Sequence, residues 1–206
     1  MSRYTEYYDQ EAEATAWYGP EVIFGLVYTF IQPGQKLLDI GIGTGLSSTL
    51  FHDFGMNIYG MDISEEMLEA VRNKNISQNL ILHDLTKFPY PYEKDFFDLV
   101  INAGVFQFFV DLQQVFKETS RIMKKDAYFA FVVGHRSPAE VSAVIVGSEH
   151  TGSDRMVTMY RHSDEQINRW LAEASLREIR SVEFAVFMDK EKKHRLPAKV
   201  YIVKNI

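Results

Sequence analysis

Residues 37–46 have the sequence Leu-Leu-Asp-Ile-Gly-Ile-Gly-Thr-Gly-Leu, an apolar run that leads into three glycines at alternate positions. Glycines in this pattern let a ligand approach the backbone closely and allow the chain to turn sharply into a helix. The dinucleotide-binding pattern G-x-G-x-x-G/A ends in a small residue, where this chain has Leu46. Asp39 precedes the first glycine by two residues, where a carboxylate would repel a pyrophosphate and attract an ammonium group. The loop therefore favours an adenosyl ligand with an amino-acid tail over one with phosphates.

A second carboxylate, Asp62, follows the apolar stretch Asn57–Met61, one β-helix-β step after Asp39. A carboxylate at the carboxyl end of a strand can accept hydrogen bonds from both hydroxyls of a ribose. Nicotinamide and S-adenosyl cofactors both contain such a ribose, so Asp62 alone leaves both open. The alternative is that Asp62 is an acid at a helix start, beside the capping residue Ser64.

Short apolar stretches alternate with amphipathic helical patterns along the chain. The predicted strands are Lys36–Ile40, Asn57–Met61, Asn79–Leu82, Phe97–Asn102 and Ala127–Gly134. The predicted helices are Leu46–Phe54, Glu65–Lys74, Asp111–Met123 and Asp164–Ala174. Two further extended stretches, Arg180–Met188 and Lys199–Lys204, predict an antiparallel hairpin at the end of the sequence. This succession predicts an α/β fold with a mostly parallel sheet covered by helices on both faces, and such sheets bind ligands at the carboxyl ends of their strands.

Composition narrows the class of protein. The 206 residues predict a single domain, 1–206, and the absence of cysteine excludes disulfides, thiolate metal sites and cysteine nucleophiles. The net charge of −6 argues against a nucleic-acid partner, and the six histidines form no H-x-x-x-H pair, so we expect no metal site.

The polar start has no signal-peptide pattern and the longest uncharged run is too short to cross a bilayer. We therefore expect a cytoplasmic protein with no membrane partner; the sequence leaves the oligomeric state open.

Four segments, in order, resemble the motifs of class I S-adenosylmethionine-dependent methyltransferases. They are LLDIGIGTG, YGMDIS, LILHDL and FDLVINAGVFQFF. The resemblance implies a Rossmann-like, doubly wound, seven-stranded sheet and S-adenosylmethionine as cofactor. Many members have a leader-proline-glycine-glycine turn where this chain has Lys124-Lys125-Asp126-Ala127, a departure that concerns a turn and not the cofactor site.

The resemblance also assigns roles to individual residues. Asp39 and Gly41 would hold the methionine tail, Asp62 the ribose, Asp84 the adenine edge, and Asn102 the region of the sulfonium. For Met67 and Leu85, ordinary core packing is an equal alternative to contact with the adenine. The complete set of predicted cofactor-binding residues is Asp39, Gly41, Ile42, Gly43, Thr44, Gly45, Asp62, Ile63, Met67, Asp84, Leu85, Asn102 and Ala103.

The implied reaction is methyl transfer to a small-molecule acceptor. The sulfonium already activates the methyl group, so the protein needs mainly to align the acceptor and exclude water, and no residue is singled out as catalytic. His135, directly after the fifth strand, is the best-placed candidate base, with a solvent-facing loop histidine as the alternative; His162 is a weaker candidate. Asn102-Ala103-Gly104-Val105 lacks the prolines of enzymes that methylate exocyclic amino groups.

Other functions remain open beside this one. The chain could be a catalytically silent S-adenosyl-binding module or a protein methyltransferase. A nicotinamide oxidoreductase is disfavoured by Asp39, by Leu46 and by the lack of a Tyr-x-x-x-Lys pair.

Two segments outside the motifs are expected to cover the methyl group, with simple helical packing against the sheet as the alternative. One is the tyrosine-rich N-terminal helical segment 1–35, and the other is the insertion 136–162, with glycines at Gly147 and Gly152. AGVFQFFVDL and Tyr160-Arg161-His162-Ser163 also resemble a branch of methyltransferases often fused to tetratricopeptide repeats, which bears on architecture only. The basic run Lys190, Lys192, Lys193, His194 and Arg195 predicts a solvated hairpin tip.

Overall fold

From residue 36 onward the chain alternates strands and helices, as the apolar periodicity predicts. The computed structural model describes residues 3–146, 157–187 and 195–206. The helices are α1 Arg3–Ala14, α2 Gly19–Val27, α3 Leu46–Asp53, α4 Glu65–Lys74, α5 Gln113–Ile122 and α6 Asp164–Glu173. The strands are β1 Lys36–Ile40, β2 Asn57–Asp62, β3 Asn79–Leu82, β4 Phe97–Asn102, β5 Met123–His135, β6 Ala143–Val146, β7 Val157–His162, β8 Leu176–Phe187 and β9 Arg195–Asn205. Short 3₁₀ turns occupy Tyr28–Phe30 and Phe106–Phe108.

The central part of the sheet has the strand order β3-β2-β1-β4-β5, with all neighbours parallel. The antiparallel pair β8–β9 continues it, because β9 pairs with β5 along residues 128–134. The predicted mostly parallel sheet and C-terminal hairpin are therefore confirmed.

The predicted number of seven strands is wrong, since the described residues form nine. The two additional strands, β6 and β7, lie in the insertion and pair with each other in antiparallel fashion. β7 joins the sheet through only two residue pairs, Gly134 with Arg161 and His135 with His162. The cause is the run Ala-Val-Ile-Val in β6, whose β-branched residues favour extended backbone next to the free end of β5.

Three strands begin four residues earlier than predicted. β5 begins at Met123 rather than Ala127, because Met123 pairs with Phe97 of β4, and the register shifts beyond that pair, where Asp126 has φ +68°. The C-terminal hairpin is longer than predicted, since β8 begins at Leu176 and β9 at Arg195.

Helices cover both faces of the sheet, as predicted. α5 and α6 pack on one face around a cluster of fully buried aromatic side chains that includes Phe116, Phe129 and Tyr201. The other face is covered by α2, α3 and α4, with Ile23 and Phe51 at the centre of the contact. Each of these faces is sealed by apolar contacts, so the carboxyl edge of the strands is where polar side chains collect.

The starts of the helices after β2 and β7 follow the sequence signals. Ser64 caps α4 by accepting a hydrogen bond from the Met67 N–H at 3.3 Å. Ser163 caps α6 in a full capping box with Gln166. Among the described residues, no helix is long and apolar enough to cross a membrane.

Candidate functional site

The glycine loop between β1 and α3 has a backbone that only glycine adopts without strain. Gly41, Gly43 and Gly45 have φ values of +71°, +54° and +84°. A Cβ on Gly41 would lie 2.3 Å from Val105 Cγ2, whereas a Cβ on Gly43 would meet nothing within 4 Å. The Gly41 N–H donates to the Met61 carbonyl at 2.8 Å, which fixes the loop to the end of β2. The loop is therefore anchored at its start and has open space at Gly43.

Asp39 lies at the end of β1 and is almost completely buried, with 2% of its surface exposed. The pKa of Asp39 is raised to about 7. Burial raises it most, the Ser48 hydroxyl lowers it, and the nearby Asp62 contributes a smaller rise. That hydroxyl donates to Asp39 Oδ2 at 2.8 Å. No basic side chain in the described part of the chain forms an ion pair with Asp39. A cationic ligand group would supply the missing counter-charge.

Asn102, at the end of β4, is a second buried polar group beside the loop. Its Nδ2 donates to the Ile40 carbonyl at 2.6 Å, while its Oδ1 is buried and has no hydrogen-bond partner in the part of the chain that the structure describes. Asp39 and Ile101 are register partners on adjacent strands, so Asp39 and Asn102 occupy neighbouring strand ends. A buried acceptor without a donor costs about 1–3 kcal/mol, which a ligand N–H placed there would remove.

Asp62 connects the glycine loop to the start of α4. Its Oδ2 accepts a hydrogen bond from the Gly43 N–H at 2.9 Å, and its Oδ1 accepts one from the Ser64 N–H at 2.9 Å. The alternative of an acid at a helix start is thus correct, but it does not exclude ligand binding. A carboxylate has about four acceptor positions, so two remain for ribose hydroxyls.

The residues predicted to contact adenine differ in exposure. Ile63 is 71% exposed at the end of β2, as a side chain that contacts a ligand would be, whereas Leu85 is buried in the core on the α5 face. Asp84 is partly exposed and accepts hydrogen bonds from the Thr86 N–H and hydroxyl, which hold the pKa of its carboxyl below the ordinary value. For Leu85, the structure favours core packing over the ligand role.

Comparison with known proteins points to a methyltransferase. A model described as a methyltransferase domain matches residues 38–131, from β1 into β5. Together with the relatives and the solved structure below, this match supports a class I S-adenosylmethionine-dependent methyltransferase. It is 27% identical over 100 residues to a malonyl-[acyl-carrier protein] O-methyltransferase of Serratia marcescens, covering 48% of this chain and 38% of that protein.

A second curated relative and a solved structure are also similar to this chain. A ubiquinone biosynthesis O-methyltransferase of Pelagibacter ubique is 28% identical over 121 residues, covering 56% of this chain and 48% of that one. The chain thus spans less than half of either curated relative. The solved structure of a SAM-dependent methyltransferase from Methanosarcina mazei has the same fold, with a TM-score of 0.73 at 15% identity, covering 88% of this chain and 97% of that one.

His135, the candidate base of the methyltransferase, lies in a polar cluster at the end of β5. Its Nε2 is 3.4 Å from Asp164 Oδ1, and its Nδ1 is 3.7 Å from Glu183 Oε1. Asp164 also binds Lys199 Nζ at 2.8 Å and the Tyr201 hydroxyl. The alternative of a freely solvent-facing histidine is therefore incorrect, since the side chain is only 14% exposed.

The distance along β5 bears on the role of His135. Asn102 pairs with Phe131, and His135 follows four residues later, roughly 13 Å along the strand. A direct role as base stays a prediction. His162 is 1% exposed with its ring 5.5 Å from that of Trp170, and burial lowers its pKa to about 4, as for a core residue.

Two contacts of the N-terminal segment were not predicted in detail. Asp9 of α1 accepts a hydrogen bond from the Thr44 hydroxyl in the glycine loop, and Trp17 packs against the Gly104 backbone just after β4. No sequence signal identifies Asp9, because it belongs to no motif and lies far along the chain from Thr44. Gly147, Gly152 and the basic residues 190–194 lie outside the described residues, as do the side chains of Tyr4 and Tyr7.

Proposed function

We propose that the chain transfers the methyl group of S-adenosylmethionine to a small-molecule acceptor. The observation that carries the proposal is the pair of buried polar groups beside the glycine loop. Asp39 has no cationic partner and Asn102 Oδ1 has no donor, and an ammonium group would satisfy both.

The chain's own residues would act mainly by binding and alignment. Asp39 and Asn102 would hold the amino-acid tail, the open backbone at Gly43 would allow close approach, and Asp62 would hold the ribose. Bound S-adenosylmethionine supplies a methyl group that its sulfonium already activates. The protein then has to align the acceptor in line with that methyl and exclude water.

A cavity at the same edge supports an apolar acceptor without negative charge. Its volume is about 220 Å³, and it lies between the segments that follow β3 and β4. Phe88 and Phe109 provide aromatic walls, and Asp111 places a carboxylate in the cavity. None of the described residues that line the cavity is basic. An anionic acceptor would find no counter-charge there, so a neutral or cationic one is favoured.

Turnover with labelled S-adenosylmethionine tests the reaction. The protein is incubated with the small-molecule, protein and RNA fractions of a cell extract, beside Asp39→Asn and the exposed control Asp53→Asn. We expect label in the small-molecule fraction with the wild type and Asp53→Asn, and none with Asp39→Asn. Label in protein or RNA would assign another acceptor class. S-adenosylhomocysteine binding without turnover would indicate a silent binding module.

The cavity is tested once an acceptor is found. Phe88→Ala removes a wall that is 38% exposed, so the fold should tolerate it. We expect a several-fold higher KM for the acceptor and an unchanged KM for S-adenosylmethionine. Tyr28→Ala, an exposed aromatic residue at the opposite edge of the sheet, is the control. An unchanged acceptor KM in Phe88→Ala would place the acceptor elsewhere.

A further inference from the structure

Helix α1 makes two polar contacts with the rest of the protein through Asp9. None of its described side chains, at positions 8–10 and 12–14, is buried. A helix of 12 residues is only marginally stable in isolation, so its position depends on what it contacts. The contacts of Asp9 therefore carry particular weight.

Asp9 binds two parts of the protein at once. Its Oδ1 accepts a hydrogen bond from the Thr44 hydroxyl, and its Oδ2 accepts one from Lys74 Nζ at 3.0 Å. Thr44 lies in the glycine loop between Gly43 and Gly45, and Lys74 ends α4. We call these two bonds the Asp9 latch. Both are charge-assisted and partly shielded from water, so they are stronger than contacts between neutral surface groups.

The Asp9 latch is continuous with the proposed ribose acceptor. Thr44, held by Asp9, is only 1% exposed, and the adjacent Gly43 donates its N–H to Asp62 Oδ2 at 2.9 Å. The path from α1 to the carboxylate thus consists of one side-chain hydrogen bond, one peptide unit and one backbone hydrogen bond. A change at Asp9 can reach Asp62 without any contact between Asp9 and a ligand.

We infer that Asp9 is a positioning residue that docks α1 on the glycine loop and fixes Asp62 for the ribose. The docking follows from the contacts alone, while the ribose rests on the proposed function. Release of the Asp9 latch would loosen α1 and the loop together, and a bound S-adenosyl ligand would then dissociate faster.

Hydrogen exchange in the ligand-free protein tests the docking. Asp9→Asn removes the charge, and Thr44→Val removes the hydroxyl. Both should speed exchange in residues 3–14 about tenfold, the effect of losing a charge-assisted bond of roughly 1.4 kcal/mol. Thr44→Ser keeps the hydroxyl and should restore slow exchange. Glu13→Gln removes an exposed charge from the same helix and should change nothing.

The double variant separates one shared bond from two independent effects. Asp9→Asn with Thr44→Val should exchange no faster than Asp9→Asn alone, because Asp9→Asn weakens both bonds of Asp9 and Thr44→Val removes one of the same two. Additive acceleration, or wild-type exchange in Asp9→Asn, would overturn the docking.

Calorimetry with S-adenosylhomocysteine tests the positioning. We expect about tenfold weaker binding in Asp9→Asn and Thr44→Val, with wild-type binding in Glu13→Gln. Unchanged affinity in Asp9→Asn despite faster exchange in α1 would overturn the positioning role. If the wild type itself fails to bind, the proposed function and the link to the ribose are wrong, while the exchange data still decide the docking.

Discussion

Replacement of Asp39 by Asn should stabilise the ligand-free protein while it abolishes cofactor binding. Burial raises the pKa of this carboxyl from 3.8 to about 7. At pH 8 the side chain is ionised, and each pKa unit corresponds to 1.36 kcal/mol, so the ionised form costs about 4 kcal/mol. Asn removes the charge and keeps an acceptor for the Ser48 hydroxyl. Its buried NH₂ group adds a cost of about 1–3 kcal/mol.

The expected net gain at pH 8 is therefore about 2 kcal/mol in the free energy of unfolding. For a chain of this length, that corresponds to a melting temperature about 4–8 °C higher. The pH dependence gives an independent check. Because the folded pKa of Asp39 is raised, its contribution is fully present below pH 3.8 and is lost as pH rises through about 7. Asp39→Asn should lack that loss.

Binding should show the opposite trend. An ammonium group needs the ionised carboxylate, so wild-type affinity for S-adenosylhomocysteine should fall about tenfold per pH unit below pH 7. Thermal melts and calorimetry at pH 5.5–8.5, on the wild type and Asp39→Asn, measure both effects. A destabilised Asp39→Asn at pH 8, or one that binds with wild-type affinity, would refute the argument.

Two further changes have defined outcomes. Asp62→Ala should weaken S-adenosylhomocysteine binding about a hundredfold by calorimetry, and an unaltered dissociation constant would place the ribose elsewhere. Because the Gly43 and Ser64 N–H groups lose their acceptor, the same change should lower the free energy of unfolding in urea by about 1–3 kcal/mol. Ser163→Ala removes the capping box of α6 and should lower the free energy of unfolding by about 1 kcal/mol, whereas an unchanged urea midpoint would mean that the cap contributes little.

Local sequence patterns predicted the part of the site that local geometry builds. The glycines at 41, 43 and 45 have the positive φ values that their spacing indicated, and Asp39 and Asp62 lie at the ends of β1 and β2. These features depend on residues close together in the chain, and the alternation of strand and helix fixes their edge of the sheet.

Contacts between distant segments were not predictable in this way. Asp9 meets Thr44 only because α1 folds back over the glycine loop, and nothing in a polar, tyrosine-rich helix indicates that partner. His135 acquires Asp164 and Glu183 through the α6 start and β8, which follow it along the chain. Strands β6 and β7 were missed because each is short and only β7 pairs with the sheet, through the end of β5.

Two buried asparagines show how the fold distinguishes a binding group from a structural one. Asn205 Nδ2 lies within hydrogen-bond distance of the carbonyls of Ser120, Met123 and Lys124, and its Oδ1 accepts from the Ser120 hydroxyl. Its polar atoms are therefore satisfied by the chain itself, and it joins β9 to the end of α5.

Asn102 is also buried, yet its Oδ1 has no partner among the described residues, and it lies at the carboxyl edge of the sheet beside the ionisable Asp39. A fold that satisfied Asn102 and neutralised Asp39 internally would be more stable, because an unpaired buried acceptor and a buried carboxylate both cost free energy. The two costs fall on adjacent strand ends next to a loop with open space over Gly43. A ligand with a cationic donor would remove both, so under the proposed function the free energy lost from folding at this edge would become available for binding the amino-acid tail of the cofactor.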